Sequence, residues 1–400
     1  MAESLNRAAW QDKVADFWGV SLQVISVVFI ARFITDVGTR MLYPFIPQFS
    51  AGLGMTVGSF GWLLFMRSIV GVTGPIFGFL ADRYGRRKVM ASSLLFQTIG
   101  GVGLAFSQGW WAALPLVISG IAVIAFVPAQ QAYISDQAPY QKRGRAMGVI
   151  EFSWASVAII ALPVVGWLIQ SFGWRAPLLA LSLFSLTGAV FMWRYLPPNT
   201  ERQTQAALTW QSFVTVAAKK NVMAAVGTAL LFFVALVSFS TLWGLWLVEA
   251  FALPATTVGL VGTSIGVAEL LGAGTASLFI DRLGKRRGSG IALLLSVVGL
   301  LLLPFAQGLL AAVIAALFIL SVTLEFGIIS LLPLYAEQYP PARATVLSLV
   351  FFGISIGAAI GVPVTAMLWQ GVGLWGVCVV DAFLLLAAFF LMRQLLVEGE

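Results

Sequence analysis

Long apolar runs separated by short polar segments recur along the whole chain. Twelve runs come close to the roughly 20 residues that a helix needs to cross a hydrocarbon core of about 30 Å. The intervening segments carry glycine, proline, glutamine and basic residues, which is typical of loops that join helices. The pattern therefore predicts twelve membrane-spanning helices. The runs are 21–48, 57–81, 88–107, 110–135, 146–170, 174–196, 221–249, 256–280, 288–306, 309–336, 344–370 and 373–393.

Composition agrees with a protein dissolved in lipid. The chain is 60% hydrophobic and only 10% charged, whereas soluble domains have about 25% charged residues. It contains no histidine, which excludes His-dependent triads, HExxH metal sites and imidazole proton relays. Its single cysteine, Cys378, excludes a disulfide framework. We therefore expect no enzyme, no metal and no cofactor.

The basic residues indicate how the chain is oriented. Most of the 23 Lys and Arg residues fall in alternate loops, on one side of the membrane if both termini lie there. Lys and Arg favour the cytoplasmic side, so both termini are predicted to be cytoplasmic. The net charge of +7 then reflects topology, and no nucleic-acid partner is expected. We predict a multi-pass monomer in the cell (inner or plasma) membrane, with the lipid bilayer and a small-molecule substrate as its partners.

The longest polar stretch falls between the sixth and seventh runs. It covers residues 197–220, and such a linker usually joins two bundles that move relative to each other. The predicted domains are an N-terminal six-helix bundle (1–196), a cytoplasmic linker (197–220) and a C-terminal six-helix bundle (221–400).

The two predicted bundles repeat each other in sequence. "GFLADRYGRRK" (78–88) follows the second run, and "SLFIDRLGKRR" (277–287) follows the eighth. At a similar displacement Asp136 aligns with Glu337, and Pro163 aligns with Pro363. Internal repeats are common in transporters. The fold class is therefore predicted as an all-α integral membrane protein of two pseudo-symmetric six-helix bundles.

These motifs resemble those of the major facilitator superfamily (MFS), and within it the 12-helix drug/proton antiporter-like branch. The resemblance covers the whole chain. The signature G-x-L-A-D-R-x-G-R-R/K between the second and third spans has a degenerate copy in the second half. The matching signature positions are Gly78, Leu80, Ala81, Asp82, Arg83, Gly85, Arg86 and Arg87, and the copy includes Asp281, Arg282, Gly284 and Lys285.

The resemblance implies a cytoplasmic latch between the halves when the protein opens outward. Gly78 would let helices approach closely. Asp82 would meet the start of the eleventh span near Arg343, where a helix N-terminus favours negative charge. Two ion pairs would complete the latch, Arg86 with Asp136 and Lys285 with Glu337. A simpler reading is that the basic clusters only enforce topology.

The fifth span keeps part of a pattern found in the family's antiporters. Pro163 and Gly166 are present, but Leu162 and Trp167 stand where glycines would be. We expect bends at Pro163 and Gly166, and at Pro363 in the eleventh span. The fourth span has no charge near its glycine, unlike many drug–proton antiporters, so proton coupling would use other groups.

Two glutamates of the second half are candidates for that role. Glu269 and Glu325 each lie 12 residues before a cytoplasmic acidic residue, which places them roughly 18 Å deep. No second-half span contains Lys or Arg in its interior, so both are expected to be unpaired. Burial disfavours a charged carboxyl, so each could carry a proton or face a cationic substrate. Alternatively, they only hydrogen-bond between helices.

The first half contains a cluster of opposite charges. Arg32 and Arg40 flank Asp36 at four residues on one stripe of a helix. Arg67 is expected at similar depth, as a cross-helix partner of Asp36. These arginines favour an ionised Asp36, so we expect Asp36 to anchor the cluster, with Arg32 available to substrate. Asp381, on the peripheral twelfth span, is assigned a structural role.

The resulting hypothesis is a secondary active transporter that works by alternating access. The leading version is a proton-coupled exporter of amphipathic, drug-like molecules, with the proton gradient as energy source. One alternative is an importer or exchanger of organic anions held by Arg32 and Arg67. A lipid flippase or a non-transporting sensor on the same fold also remains open.

Overall fold

The computed structural model describes residues 17–197 and 215–398, and every regular element in these ranges is helical. Most of the predicted linker 197–220 therefore lies outside the described residues. Nine α-helices of the first half lie wholly within the described residues: α1 (Leu22–Arg40), α2 (Ile46–Gly52), α3 (Val57–Ile69), α4 (Gly74–Tyr84), α5 (Arg86–Ala105), α6 (Ala113–Gln137), α7 (Arg143–Ser156), α8 (Leu162–Phe172) and α9 (Arg175–Tyr195).

The second half is built from longer helices. Its last helical range, Arg343–Leu395, holds two predicted spans, 344–370 and 373–393, as two helices that meet at a kink at Gly373, whose backbone dihedrals are non-helical. The helices are α10 (Lys220–Phe251), α11 (Ala255–Leu283), α12 (Lys285–Leu302), α13 (Leu310–Ala336) and α14 (Arg343–Leu395).

Ten helices of the described residues are long and apolar enough to cross a membrane, or eleven if one bent pair counts as a span. The difference from twelve arises at two places. The second predicted span is divided by a 3₁₀ turn at Val70–Thr73 into α3 and α4, and the last two predicted spans are separated only by the kink at Gly373, so that α14 is counted once. A multi-span helical membrane protein follows directly.

The repeated sequence motif produces the same local structure in both halves. Gly85 and Gly284 end α4 and α11 with positive φ angles of 96° and 79°. L-residues other than glycine rarely adopt such angles. Each glycine also precedes a helix that starts at a basic residue, Arg86 or Lys285. The repeated motif therefore forms a tight turn between two consecutive helices in each half.

The two halves touch along a seam of glycines on the side away from the basic loops. A Cβ at Gly166 would lie 2.3 Å from the Ala255 carbonyl oxygen, and one at Gly259 would lie 2.4 Å from that of Leu162. A Cβ at Gly244 would meet the Pro44 carbonyl oxygen at 2.3 Å. Backbone therefore packs directly on backbone, as small residues allow between membrane helices.

Toward the basic loops, three glycines have open space beside them. A Cβ at Gly78, Gly148 or Gly274 would meet nothing within 4 Å. These glycines lie toward the basic loops on α4, α7 and α11. The molecule is thus closed at the glycine seam and open on the basic side. The close approach expected at Gly78 is absent from this conformation.

Candidate functional site

The first charge cluster joins three helices of the first half. Arg32 Nε donates to both carboxylate oxygens of Asp36 at 2.9 Å. Its other nitrogens donate to Gln130 on α6 at 3.0 Å and to Glu151 on α7 at 3.2 Å. The Ser153 hydroxyl donates to Asp36 as well. Asp36 anchors this first-half cluster through Arg32 rather than through Arg67.

Arg67 is buried without a carboxylate partner among the described residues. Its nitrogens donate to the hydroxyls of Ser119 at 3.3 Å and Thr39 at 3.1 Å. The expected ion pair with Asp36 is therefore wrong. The reason is local: Asp36 already accepts three hydrogen bonds, two from Arg32 Nε and one from the Ser153 hydroxyl, so its oxygens are satisfied.

The second charge cluster crosses between the halves. Arg40 lies in the last turn of α1, and its two terminal nitrogens donate to the two carboxylate oxygens of Glu269 on α11, at 2.7 and 2.5 Å. Arg40 also donates to the Trp154 carbonyl at 2.9 Å, and its guanidinium lies 5.0 Å from the Trp154 ring centre. Such bidentate pairs are among the stronger hydrogen bonds.

Glu269 was expected to be unpaired, and that expectation is wrong. The second half indeed supplies no buried base, but the first half supplies Arg40 across the interface. Counting residues along one helix predicts how deep a charged side chain lies. It does not predict the partner of that side chain, because the partner depends on how the two halves pack. Arg40 is thus the functional candidate that the sequence reasoning did not select.

Glu325 on α13 fits the expectation better. Among the described residues it has neither an ion pair nor a hydrogen bond, and it interacts electrostatically with Glu269 and Arg40. α11 approaches it closely, because a Cβ at Gly272 would lie 2.8 Å from the Glu325 Cβ. Glu325 therefore lies near the Arg40–Glu269 pair without binding to it, and the three side chains have a formal charge of −1 when both carboxylates are ionised.

The signature loops form ion pairs within each half. Arg86 binds Asp136 and the Ala132 carbonyl, and its other nitrogen lies 3.4 Å from Asp82. Lys285 binds Glu337 in the equivalent place of the second half. Both predicted pairs are present. They link helices of one half, however, and do not bridge the halves as the latch required.

The remaining signature residues lie on the open side. Arg87 donates to the Leu196 carbonyl at 2.7 Å, which ties α5 to the end of α9. Arg83 lies over the ring of its neighbour Tyr84. Asp281 and Arg282 are exposed. Asp82 pairs with Arg86 and remains half-exposed. It does not meet the start of the eleventh span, because the halves are separated on this side.

The predicted bends take different forms. Pro163 follows a five-residue π-helical turn, Val157–Ala161, at the start of α8. Gly166 belongs to the seam. Pro363 lies inside α14, whose one non-helical residue is Gly373, so no break falls at Pro363. A Cβ at Gly61 would lie 3.3 Å from the Pro363 Cα, which places Pro363 at the seam too.

No group of three or more His, Cys, Asp or Glu side chains that could hold a metal ion occurs within residues 17–197 and 215–398. The arrangement of Arg40, Glu269 and Glu325 can bind a proton or a charged group. It holds one guanidinium and two carboxylates where the halves meet. Fold and site together are those of a multi-span membrane protein with a charge cluster between its halves.

Comparison with known proteins identifies its family. The Major Facilitator Superfamily matches residues 28–245 and 227–399. The chain belongs to this superfamily of membrane transporters.

Two named relatives share only 28% sequence identity with this chain. The multi-drug resistance efflux pump PmrA of Streptococcus pneumoniae is 28% identical over 172 residues, 42% of this chain and 43% of that protein. The multidrug resistance protein MdtG of a Rahnella species is 28% identical over 295 residues, 70% of each chain. A bacterial homologue of the human lysosomal transporter Spinster, solved inward-facing and unoccupied, shares the fold with a TM-score of 0.76 at 15% identity, over 93% of this chain and 96% of its own.

Proposed function

We propose that the protein is a proton-coupled exporter of amphipathic, drug-like molecules in the cell membrane. It would have twelve spans, both termini in the cytoplasm, and the cavity of this conformation open to the cytoplasm. It works as a monomer and needs no cofactor, because the proton gradient supplies the energy.

The observation that carries the proposal is the Arg40–Glu269 pair with Glu325 beside it. With both carboxylates ionised, Arg40 neutralises one charge and leaves one negative charge in a water-poor site. A proton or the cationic group of a substrate can neutralise that charge, but not both together. Competition for one charge makes the two ligands exchange, which is the basis of antiport.

The transport cycle follows from this competition. A substrate from the cytoplasm or inner leaflet displaces a proton from the cluster, the halves rock, and an incoming proton from outside releases the substrate. Arg40 and Glu269 lie on opposite halves, so protonation of Glu269 would weaken their bond and free the halves to move. A relative named a multi-drug resistance efflux pump supports this direction, and it and a relative named a multidrug resistance protein support this substrate class.

Reconstituted liposomes test the proposal. A pH gradient of either sign is imposed, and movement of a cationic dye is compared with that of an organic-anion panel. We expect dye movement to follow the gradient in wild type and to lose that dependence in Glu325→Gln. Glu249→Gln is the matched control, because Glu249 bonds Trp369 far from the cluster. Gradient-independent movement in wild type contradicts the proposal.

A second candidate rests on Arg67. This buried guanidinium has no carboxylate partner in the described part of the chain, and such a group could hold an organic anion. In that case the anion panel, rather than the dye, moves in the liposomes. Arg67→Gln then abolishes that movement, whereas it leaves dye export in the leading proposal.

A further inference from the structure

A buried carboxyl lies outside both charge clusters. Asp381 is on the part of α14 that follows Gly373, and its exposed fraction is 0%. Neither of its carboxylate oxygens has a hydrogen-bond partner. An ionised carboxylate in apolar surroundings with neither partner nor counter-ion is strongly disfavoured. The site therefore requires an explanation that packing does not give.

Among the residues that the structure describes, no counter-charge reaches Asp381 from the helices around it. Glu325 on α13 interacts with Glu269 and Arg40, not with Asp381. The titratable group beside Asp381 is the Cys378 thiol, one turn earlier. All other charged residues of α10, α12 and α14 lie in the first or last turns of these helices: Lys220, Glu249, Lys285, Arg286, Arg287, Arg343 and Arg393.

What faces Asp381 is a row of hydroxyls. The Ser238 hydroxyl of α10 lies near the carboxyl but makes no hydrogen bond to it in this structure. Thr365, on the earlier part of α14, donates to Ser238 at 2.6 Å and lies 2.7 Å from the Gly361 carbonyl oxygen. One hydroxyl has one proton, so Thr365 can donate to only one of these acceptors at a time. Two alternative directions of donation are thus built into the row.

We propose that Asp381 is a buried proton-binding site, and that the hydroxyls of Ser238 and Thr365 reverse their direction of donation when it gains or loses its proton. The site is separate from the Arg40–Glu269–Glu325 cluster, and its use in transport rests on the function proposed above.

The proton balance is simple. In the neutral state Asp381 O–H donates to Ser238, Ser238 donates to Thr365, and Thr365 donates to the Gly361 carbonyl. When the carboxyl releases its proton to water, Thr365 donates to Ser238 and Ser238 donates to the carboxylate. No bond other than O–H changes, and each hydroxyl keeps one proton throughout.

The row ends beside the seam between the halves. Gly361 and Thr365 flank Pro363, whose backbone packs against Gly61 of α3. A proton at Asp381 therefore changes the hydrogen bonding of the α14 backbone at the point where α14 meets the other half. Such a site can bias the closed state of the seam without contacting the substrate.

Infrared spectroscopy tests the site directly, since a protonated carboxyl has a C=O stretching band that a carboxylate lacks. The whole protein is labelled with carbon-13 at aspartate carboxyls and placed in lipid nanodiscs at neutral pH. We expect one isotope-shifted component in wild type and in Asp36→Asn, and its loss in Asp381→Asn. A wild-type spectrum without that component overturns the proposal, and this result needs no variant to fold.

Ser238→Ala tests the hydroxyl row. This change removes the donor to the ionised carboxyl, so loss of the component at alkaline pH should move to a higher pH by about one unit. An unchanged midpoint contradicts the row. Neither readout involves substrate: if dye export proves independent of the pH gradient while the component is present, the exporter function fails and the proton site stands.

Discussion

A single helical stripe on α1 serves both charge clusters. Arg32, Asp36 and Arg40 recur every four residues, so their side chains lie on one face. Arg32 holds Asp36 inside the first half, whereas Arg40, one turn further on, reaches Glu269 in the second half. One part of the stripe therefore stabilises a bundle, and the other part joins two bundles.

The Arg40–Glu269 pair should show strong energetic coupling. Glu269→Gln or Arg40→Gln alone leaves a buried charge unpaired, and we expect each to lower the free energy of unfolding by about 3–5 kcal/mol. The double variant should lose much less than the sum of the two. Unfolding followed by tryptophan fluorescence measures this, with Glu249→Gln as control. Additive losses would show that the two side chains do not interact.

Asp36 should matter for stability rather than for proton coupling. Asp36→Asn weakens its bond with Arg32, so the first half should become less stable, by about 1–3 kcal/mol. Dye export by the folded fraction should still follow the pH gradient. Measuring the slope of export against the gradient separates this outcome from that of Glu325→Gln. A slope lost in Asp36→Asn would make Asp36 the proton carrier.

Sequence located these charges but not their partners. Spacing placed Arg32 and Arg40 equally far from Asp36 along the helix, and depth placed Arg67 near it. Which arginine binds Asp36 depends on Ser153, Gln130 and Glu151, which α6 and α7 bring from far along the chain. The pairs that the family resemblance implied, Arg86–Asp136 and Lys285–Glu337, are present, one in each copy of the repeated motif.

At the scale of elements, glycines decide which helix ends can touch. α8 and α11 meet through Gly166 and Gly259, where a side chain would overlap a carbonyl. Gly148 and Gly274 lie at the opposite ends of the same two spans and face open space. If the halves rock, Gly166 and Gly259 should separate from their partners, and Gly148 and Gly274 should come into contact with the opposite half.

Substitution at one seam glycine should therefore change the conformational balance. Gly166→Val would place atoms against the Ala255 carbonyl, so we expect the seam to open and the basic side to be closed more of the time. Gly148→Val, the control, should leave this conformation populated. Labelling rates of a cysteine introduced at Gly78 measure access to the basic side, in a Cys378→Ala background. Equal rates in both variants would contradict the prediction.

Apolar runs predicted the helices well because membrane length is a strong constraint. They could not reveal that the 3₁₀ turn at Val70–Thr73 divides the second span. The boundary between the last two runs, by contrast, lies at the kink at Gly373. The 3₁₀ turn depends on the backbone dihedrals of four residues, where composition carries little information.

For the whole molecule, one side is closed while the other is open. The seam includes residues of α3, α8, α10, α11 and α14, and the signature loops lie on the side where the halves stand apart. The Asp82 contact to the eleventh span implied by the family resemblance belongs to the opposite arrangement, which this conformation does not display.

Distances across the two sides should change in opposite directions. Spin labels at Tyr84 and Leu283 report the basic side, and labels at Trp111 and Phe305 report the other side; all four positions are exposed. In a Cys378→Ala background, a condition that shortens the first distance should lengthen the second. Pulsed electron paramagnetic resonance measures both. Distances that change together would indicate swelling rather than rocking.

The position of the glycine seam also determines how far the opposite side of the molecule moves when the halves rotate. Because backbone rests on backbone there, with no side chain between, the seam can act as a fulcrum near one membrane face. A rotation of about 20° about it, acting over the roughly 30 Å thickness of a hydrocarbon core, displaces the far end by about 10 Å. A small rotation at the seam is therefore enough to open or close the basic side of the protein.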